Sequence, residues 1–159
     1  MEPTDHLCKS CGRTFPRTAQ FFHSFGGRKD GLRPNCKECH RADCARWKRR
    51  NPERYSDQSK RRNRKVRLEV LTVYCGGSPA CQCCGEAHVE FLALDHIDGG
   101  GLAHRRSINE EPCGHKLYRW ARNNGYPPLL QVLCHNCNCA KGYYGECPHE
   151  RERRAAREG

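Results

Sequence analysis

Leu94-Asp95-His96-Ile97-Asp98-Gly99, and later Leu130-Gln131-Val132-Leu133-Cys134-His135-Asn136-Cys137-Asn138, are the stretches whose reading decides the fold of this chain. The first ends a short apolar run in an acid and a histidine. The second is another apolar run that enters a Cys-x-x-Cys pair and passes directly into an asparagine. Cys81-Gln82-Cys83-Cys84 supplies a complementary pair, taken as Cys81 and Cys84, so four thiolates can close a tetrahedral zinc shell. The spacing predicts a zinc-strapped hairpin that carries Asp-His and faces an asparagine.

Outward from these stretches, Glu90-Phe91-Leu92-Ala93-Leu94 reads as a short buried strand and Gly99-Gly100-Gly101 as the turn that ends it. Lys116 to Arg122 reads as a helix, stopped by Asn124-Gly125 and Pro127-Pro128. Leu130 to Leu133 is the returning strand, and the knuckle leads into a helix through Ala140-Lys141. The tail from Arg151 to Gly159 is charged and either frays or extends as an exposed helix.

A second cysteine framework lies near the start. Cys8-Lys9-Ser10-Cys11 and Cys36-Lys37-Glu38-Cys39 bracket Phe15, Phe21, Phe22, Phe25 and Leu32, with Asp30-Gly31 as a tight turn. This spacing predicts a structural zinc ribbon with a minimal aromatic core. Between the frameworks, residues 41–67 hold twelve Lys or Arg against three acids, which is most of the chain's formal surplus of +11. Pro52 fits the first position of a helix. Val66, Val70 and Val73, at i, i+4 and i+7, would seat its end on the next unit. Arg49, Arg50, Lys60, Arg61, Arg62, Arg64 and Lys65 are the candidates there for phosphate contact. A solvated linker whose charges only aid solubility is the competing reading.

Composition narrows the class. Only 36% of the 159 residues are apolar and 8% aromatic, so a large core is excluded and the 14 cysteines are the available staple. The first residues lack a charged and then apolar leader, and no apolar run could span a membrane. The expectation is therefore a reducing cytoplasm, that of the host cell if the chain is phage-encoded, with cysteines serving zinc rather than disulfides. Two four-thiolate zinc sites would lower +11 to about +7, still basic enough to favour nucleic acid as partner.

The residues between the zinc pairs suit phosphodiester hydrolysis. That reaction needs an activated water and a cation on the phosphate and leaving oxygen. A neutral histidine can take the proton of the water. Asp95 offers a carboxylate and Asn138 a carbonyl oxygen, hard ligands of the kind Mg²⁺ prefers. In an extended segment His96 points away from Asp95, so one strand end can present both base and ligand.

These motifs, with Cys139-Ala140-Lys141-Gly142 after the knuckle, resemble the HNH or ββα-metal nucleases. They look like a phage-type HNH endonuclease and are similar to the recombination endonuclease VII family. The resemblance covers the second framework, about half the chain. Asp30-Gly31-Leu32-Arg33 before Cys36 is similar, less specifically, to zinc modules attached to such proteins. It implies a metal-dependent endonuclease that nicks or cleaves DNA, with His96 as general base, Asp95 and Asn138 holding Mg²⁺ (or Mn²⁺), and 5′-phosphate and 3′-hydroxyl products. One position departs from the pattern. The asparagine that braces the catalytic loop in many members is matched by Leu129, and Gln131 or an insertion residue would have to replace it.

The expected architecture is a small zinc-stabilised α+β chain. It has a zinc ribbon at 1–40, a basic helical connector at 41–74, an HNH nuclease domain at 75–150 and a charged tail at 151–159. The expected ions are two structural Zn²⁺, on Cys8, Cys11, Cys36 and Cys39 and on Cys81, Cys84, Cys134 and Cys137, and one catalytic Mg²⁺. A non-catalytic zinc-dependent DNA-binding protein and a resolving nuclease for branched DNA are the alternatives, with monomer or homodimer left open. Asp98 is read as a turn residue rather than a third ligand. His104, Arg105 and Arg106 are either phosphate contacts or an exposed basic loop. His115 and His135 receive no role. Trp47 and Trp120 either stack on bases or anchor the core. Cys44, Cys75, Cys83, Cys113, Cys139 and Cys147 remain. Buried thiols are their default reading, and a third metal site of Cys147 and His149 with Cys75 or Cys113 is the alternative.

Overall fold

Three separate two-stranded antiparallel sheets and six α-helices are formed by residues 4–107 and 114–159, which the computed structural model describes. Cys113 and the side chain of Arg105 lie outside the described residues. The chain divides into two compact units, Met1–Gln58 and Ser59–Gly159. The division falls inside the basic connector, so its two halves belong to different units.

In the first unit, β1 (Asp5–Leu7) pairs with β2 (Thr14–Pro16), and β3 (Phe22–Ser24) pairs with β4 (Leu32–Cys36). Cys8, Phe22 and Cys36 form the buried centre, with Phe15, Phe21, Leu32 and Cys39 packed on it. The Asp30-Gly31 turn forms as read. Gly31 takes φ +65, and the Leu32 N–H donates to Asp30 Oδ1 at 3.2 Å. Arg17 lies 4.7 Å over the Phe22 ring and donates to the carbonyls of Arg33 and Leu32 at 2.7 and 2.9 Å. Phe25 departs from the expected core: it is 41% exposed and covered on one side by the Arg33 guanidinium. Helix α1 (Lys37–Arg50) starts directly after Cys36 and buries no residue. Its C-cap is Asn51, and Pro52 opens α2 (Pro52–Tyr74).

The second unit is built on the end of α2. Val66, Val70 and Leu71 are buried there, but Val73 is 46% exposed, contrary to the i, i+4, i+7 reading. At about 100° per residue the packed stripe runs through 66, 67, 70, 71 and 74, and position 73 falls to its side. The stripe includes Arg67, whose guanidinium donates to the carbonyls of Val89 and Leu92 at 2.7 and 2.5 Å. Those carbonyls bound a single 3₁₀ turn, Val89–Phe91, so the strand read from Glu90 begins only at Leu92. Strand β5 (Leu92–His96) pairs antiparallel with β6 (Leu130–Cys134), setting Asp95 opposite Gln131 and His96 opposite Leu130. Helix α3 (Gly101–Ser107) follows β5, and α4 (Gly114–Asn123) lays buried Tyr118 and Ala121 against the sheet core. Helix α5 (His135–Tyr144) packs on both strands, and α6 (Pro148–Glu158) orders most of the charged tail as helix. No described helix is long and apolar enough to cross a membrane.

Arg67 is thus a structural clamp within a segment whose other cations are exposed. Arg67→Ala should lower unfolding stability by about 2 kcal/mol, the scale for charge-assisted hydrogen bonds. Exposed Arg61→Ala should stay within about 0.5 kcal/mol of the parent. Chemical denaturation of the two variants checks this, and equal midpoints would refute the clamp.

Candidate functional site

Two knuckles of the same design hold the cysteine frameworks. In one, the Cys8 N–H donates to Arg13 O and the Gly12 N–H to Cys8 O, both at 2.9 Å. In the other, the Cys81 N–H donates to Glu86 O at 2.8 Å and the Gly85 N–H to Cys81 O at 2.9 Å. Gly12 and Gly85 both adopt positive φ, +70 and +79, which L side chains avoid. The shared Cys-x-x-Cys-Gly was present in the sequence and marks a common turn, beyond the cysteine spacing alone.

Cys8, Cys11, Cys36 and Cys39 bring their sulfurs within 4.8 Å of one another, as do Cys81, Cys84, Cys134 and Cys137. Tetrahedral zinc with bonds of about 2.3 Å separates its sulfurs by about 3.8 Å. The Cys84 and Cys134 sulfurs are 3.7 Å apart. Both clusters can therefore hold structural zinc. Burial pushes the Cys8 thiol up, but the N–H groups of Cys36, Cys11 and Ser10 outweigh it and bring it down to about 6. Burial is likewise outweighed at Cys81 by the backbone of Cys84, Cys134 and Cys83, which brings that thiol to about 7. The crowding appears on the partners. Cys39 is pushed up to about 12 by the Cys36 thiol, burial and the Cys11 thiol. Burial, then the thiols of Cys134, Cys147, Cys84 and Cys83, hold Cys137 far above the usual range. A bound cation relieves that repulsion by replacing the protons.

Of the leftover cysteines, Cys83 and Cys147 are buried, and the third cluster among the described residues uses Cys83 rather than Cys75, with Cys113 outside those residues. Cys83, Cys137, Cys147 and His149 bring their ligand atoms within 4.8 Å of one another. Cys75 is instead closed on a local loop, donating to Ala80 O at 3.3 Å and accepting the Ala80 N–H at 3.4 Å. Cys44 and Cys139 are exposed.

At the end of β5 the side chains alternate as expected. His96 shares the buried face with Leu92 and Leu94, and Asp95 lies on the other, half-buried. Asp95 Oδ2 accepts from Gln131 Nε2 at 3.0 Å and from Lys141 Nζ at 2.8 Å. Gln131 thus holds Asp95 at the strand end, and Leu129, 37% exposed, accepts the Ile97 N–H through its carbonyl at 3.1 Å. The Lys141 ammonium also donates to the carbonyls of His96 and Ile97 at 2.9 and 2.7 Å. The loop end is therefore tied to α5 around one positive charge. Asn138 sits half-buried in the first turn of α5, one turn before Lys141 on the same helix face.

His96 is 8% exposed. Its Nε2 lies 2.8 Å from His104 Nδ1 in α3, and the His104 ring stands edge-on to Trp120 with centroids 4.2 Å apart. His104, expected as a phosphate contact, thus faces inward, and Trp120 packs beside it against the core. Gly101 closes the other edge: a Cβ there would stand 2.9 Å from His96 Nδ1. Asp98 is exposed in the turn, where the Gly99 N–H donates to His96 O at 3.2 Å and Gly99 and Gly100 both take φ +73. Arg49, Arg50, Lys60, Arg61, Arg62, Arg64 and Lys65 are all exposed, as is Arg106. Lys141 and Gly101 were not read as parts of this site, and His104 was read as a phosphate contact or part of an exposed basic loop rather than as a partner of His96. Only Lys141 left a signal, its helical spacing from Asn138.

No family model, curated protein or solved structure matches the chain.

Gly101 is required by space rather than by backbone angle. Gly101→Ala should displace the His96 ring and cost about 1–3 kcal/mol, the range for overpacking. The histidine ring-nitrogen NMR signals of His96 and His104 should shift together, with zinc content unchanged. Unshifted ring signals would show that the His96 edge is not where Gly101 meets it.

Proposed function

We propose that the second unit is a metal-dependent HNH-type endonuclease that hydrolyses DNA phosphodiester bonds, with His96 as general base. The observation that carries this reading is the placement of His96 and Asp95 on opposite faces of the end of β5, with the His96 imidazole held 2.8 Å from His104 Nδ1 and packed close against Gly101. A neutral imidazole carries one ring nitrogen with a lone pair, which is the group that would take a proton from water. His104, beside Trp120, fixes the orientation of the His96 ring, as an orienting partner does for a base.

Asp95 and Asn138 are the residues that would hold Mg²⁺ or Mn²⁺. Their fit is supported by the charge already standing on Asp95, where the Lys141 ammonium is gripped by one carboxylate oxygen and two carbonyls. When bound, the ion would supply charge neutralisation at the phosphate and leaving oxygen. Gln131 and Lys141 hold Asp95 at the strand end, and the cysteine cluster ties α5, with Asn138, to β6. The exposed cations of residues 60–65 would contact phosphates and contribute affinity with little sequence information.

A second reading, a zinc-dependent DNA-binding protein without turnover, is favoured by the same ion pair, since Asp95 is already neutralised by Lys141. Supercoiled-plasmid cleavage by zinc-loaded protein with Mg²⁺ or Mn²⁺ separates the two. Wild type should give relaxed or linear DNA, and His96→Ala should be slower by about 10²–10⁴-fold, the usual worth of a general base. Inert wild type that still binds the plasmid would establish the second reading. In either case binding should weaken steeply with salt, and replacing Lys60, Arg61, Arg62, Arg64 and Lys65 by Gln should flatten the slope. An unchanged slope would remove the connector from the interface.

A further inference from the structure

Cys137 belongs to two clusters. Its sulfur lies within 4.8 Å of those of Cys81, Cys84 and Cys134, and also within 4.8 Å of the ligand atoms of Cys83, Cys147 and His149. The two sets together contain seven donor groups. Two four-coordinate zinc ions have eight ligand positions, so seven donors fill them only if one is shared. A thiolate sulfur has the lone pairs to bridge, and Cys137 is the one residue common to both sets.

The distances agree with this arrangement. Zinc bonds of about 2.3 Å to sulfur and about 2.0–2.1 Å to nitrogen place a tetrahedral S and N about 3.6 Å apart. His149 Nδ1 stands 3.5 Å from Cys137 Sγ and 3.4 Å from Cys147 Sγ. Both short approaches use the same ring nitrogen, as expected of a single ligand atom. Cys83, Cys137 and Cys147 are 7%, 0% and 2% exposed, and only the histidine reaches the surface.

The chain directs these groups by short-range means. Within Cys81-Gln82-Cys83-Cys84, Cys81 and Cys84 serve the knuckle, and Cys83 joins the other set. Cys147 caps α6, its N–H donating to Glu150 Oε2 at 3.4 Å, with Pro148 in the first turn. Arg153, one turn further on, donates to Cys83 O and reaches Cys83 Sγ at 3.6 Å. The charge cost is small. A second ion adds two positive charges and requires two thiolates beyond the first shell, Cys83 and Cys147. Each thiol gives up its proton on binding.

We infer that the second unit holds a binuclear zinc cluster, with Cys137 as bridging thiolate and Cys83, Cys147 and His149 Nδ1 completing the second ion's shell. This ion fastens α6 to the knuckle and to the start of α5. The first ion, on Cys81, Cys84, Cys134 and Cys137, joins the knuckle to β6 and α5. The tail helix is thus held by metal. Its hydrophobic contact is slight, since α6 has no buried residue of its own.

Native mass spectrometry of the full zinc-saturated chain should count three zinc ions, one in the first unit and two here. His149→Ala, a change at an exposed position, should lose one of the three, and His149→Cys should restore it. Cys147→Ser should match His149→Ala. Amide exchange of residues 148–158 should speed up in both losing variants while β5 and β6 stay protected. With ¹¹³Cd in place of zinc, the full chain should give three resonances, two of them split by coupling through the shared sulfur. Two ions in the parent chain, or three that persist in His149→Ala and Cys147→Ser, would overturn the second site. Three ions without cadmium–cadmium coupling would overturn the bridge.

Discussion

Four thiolates contributed by a knuckle, a strand end and a helix start are the constraint on which the second unit depends. Cys81 and Cys84 come from the turn, Cys134 ends β6 and Cys137 lies in the first turn of α5. The apolar core around them is small, centred on Val66, Val70, Leu71, Leu92, Val132 and Leu133. Burial at about 25 cal/mol per Å² has little area to work on in such a unit, and conformational entropy opposes it at every residue. A metal shell changes that balance, because its binding free energy appears only when the ligands are assembled. It also fixes direction: Cys134 and Cys137 in one Cys-x-x-Cys force the chain to leave β6 and enter α5 at a set angle. Asp95 and His96 on β5 inherit their relation to Asn138 and Lys141 on α5 from that joint.

The first unit meets the same constraint with different filling. Its core is essentially Cys8, Phe22 and Cys36. Arg17 substitutes for missing apolar bulk by covering the Phe22 ring while its N–H groups satisfy the carbonyls of β4. Asp30 holds the same guanidinium from the turn, with Nε 2.8 Å from Oδ2. A single polar side chain thereby links the two hairpins. Arg67 performs a comparable task in the second unit, where it fastens α2 to the turn before β5. In both units an arginine is spent inside the fold, and the count of basic residues overstates the charge available to a partner.

The parts legible from the sequence were those set by neighbouring residues. Strand β6 running into α5, the Asp30-Gly31 turn, Pro52 opening a helix and α4 ending before Asn124-Gly125 and Pro127-Pro128 all follow from local spacing. The alternation that separates Asp95 from His96 is equally local. The parts that escaped are set by contacts between distant segments. Nothing near Glu90 announces that Arg67 will cap a 3₁₀ turn there and delay β5 by two residues. Val73 continues a sequence pattern, but the face is chosen by Leu71 and Tyr74 packing on the core. The partner of Cys147 and His149 is Cys83, hidden inside a knuckle whose outer cysteines already had a use. The packing of His104 against His96 depends on α3 folding back beneath Trp120, and a run of basic residues gives no sign of it.

The His96 environment carries the sharpest tension in the molecule. The proposed base would have to be reached by water, yet this ring is buried and hydrogen-bonded, beside a carboxylate paired with a lysine. Burial and bonding on the Nε2 side are not obstacles in themselves, since they hold the ring in one orientation. The lysine is the more demanding feature. An ammonium held by a carboxylate and two carbonyls is well compensated in place, and a divalent ion arriving at Asp95 must either displace it or share the carboxylate. Displacement would free Lys141 on the helix turn after Asn138, next to where a phosphate would meet the ion. Sharing would leave two cations on one carboxylate, a repulsive arrangement until an anion arrives. Under the proposed nuclease reading, on either route the loop would favour a divalent ion more strongly once a phosphate is present, so metal and nucleic acid would bind together rather than in sequence.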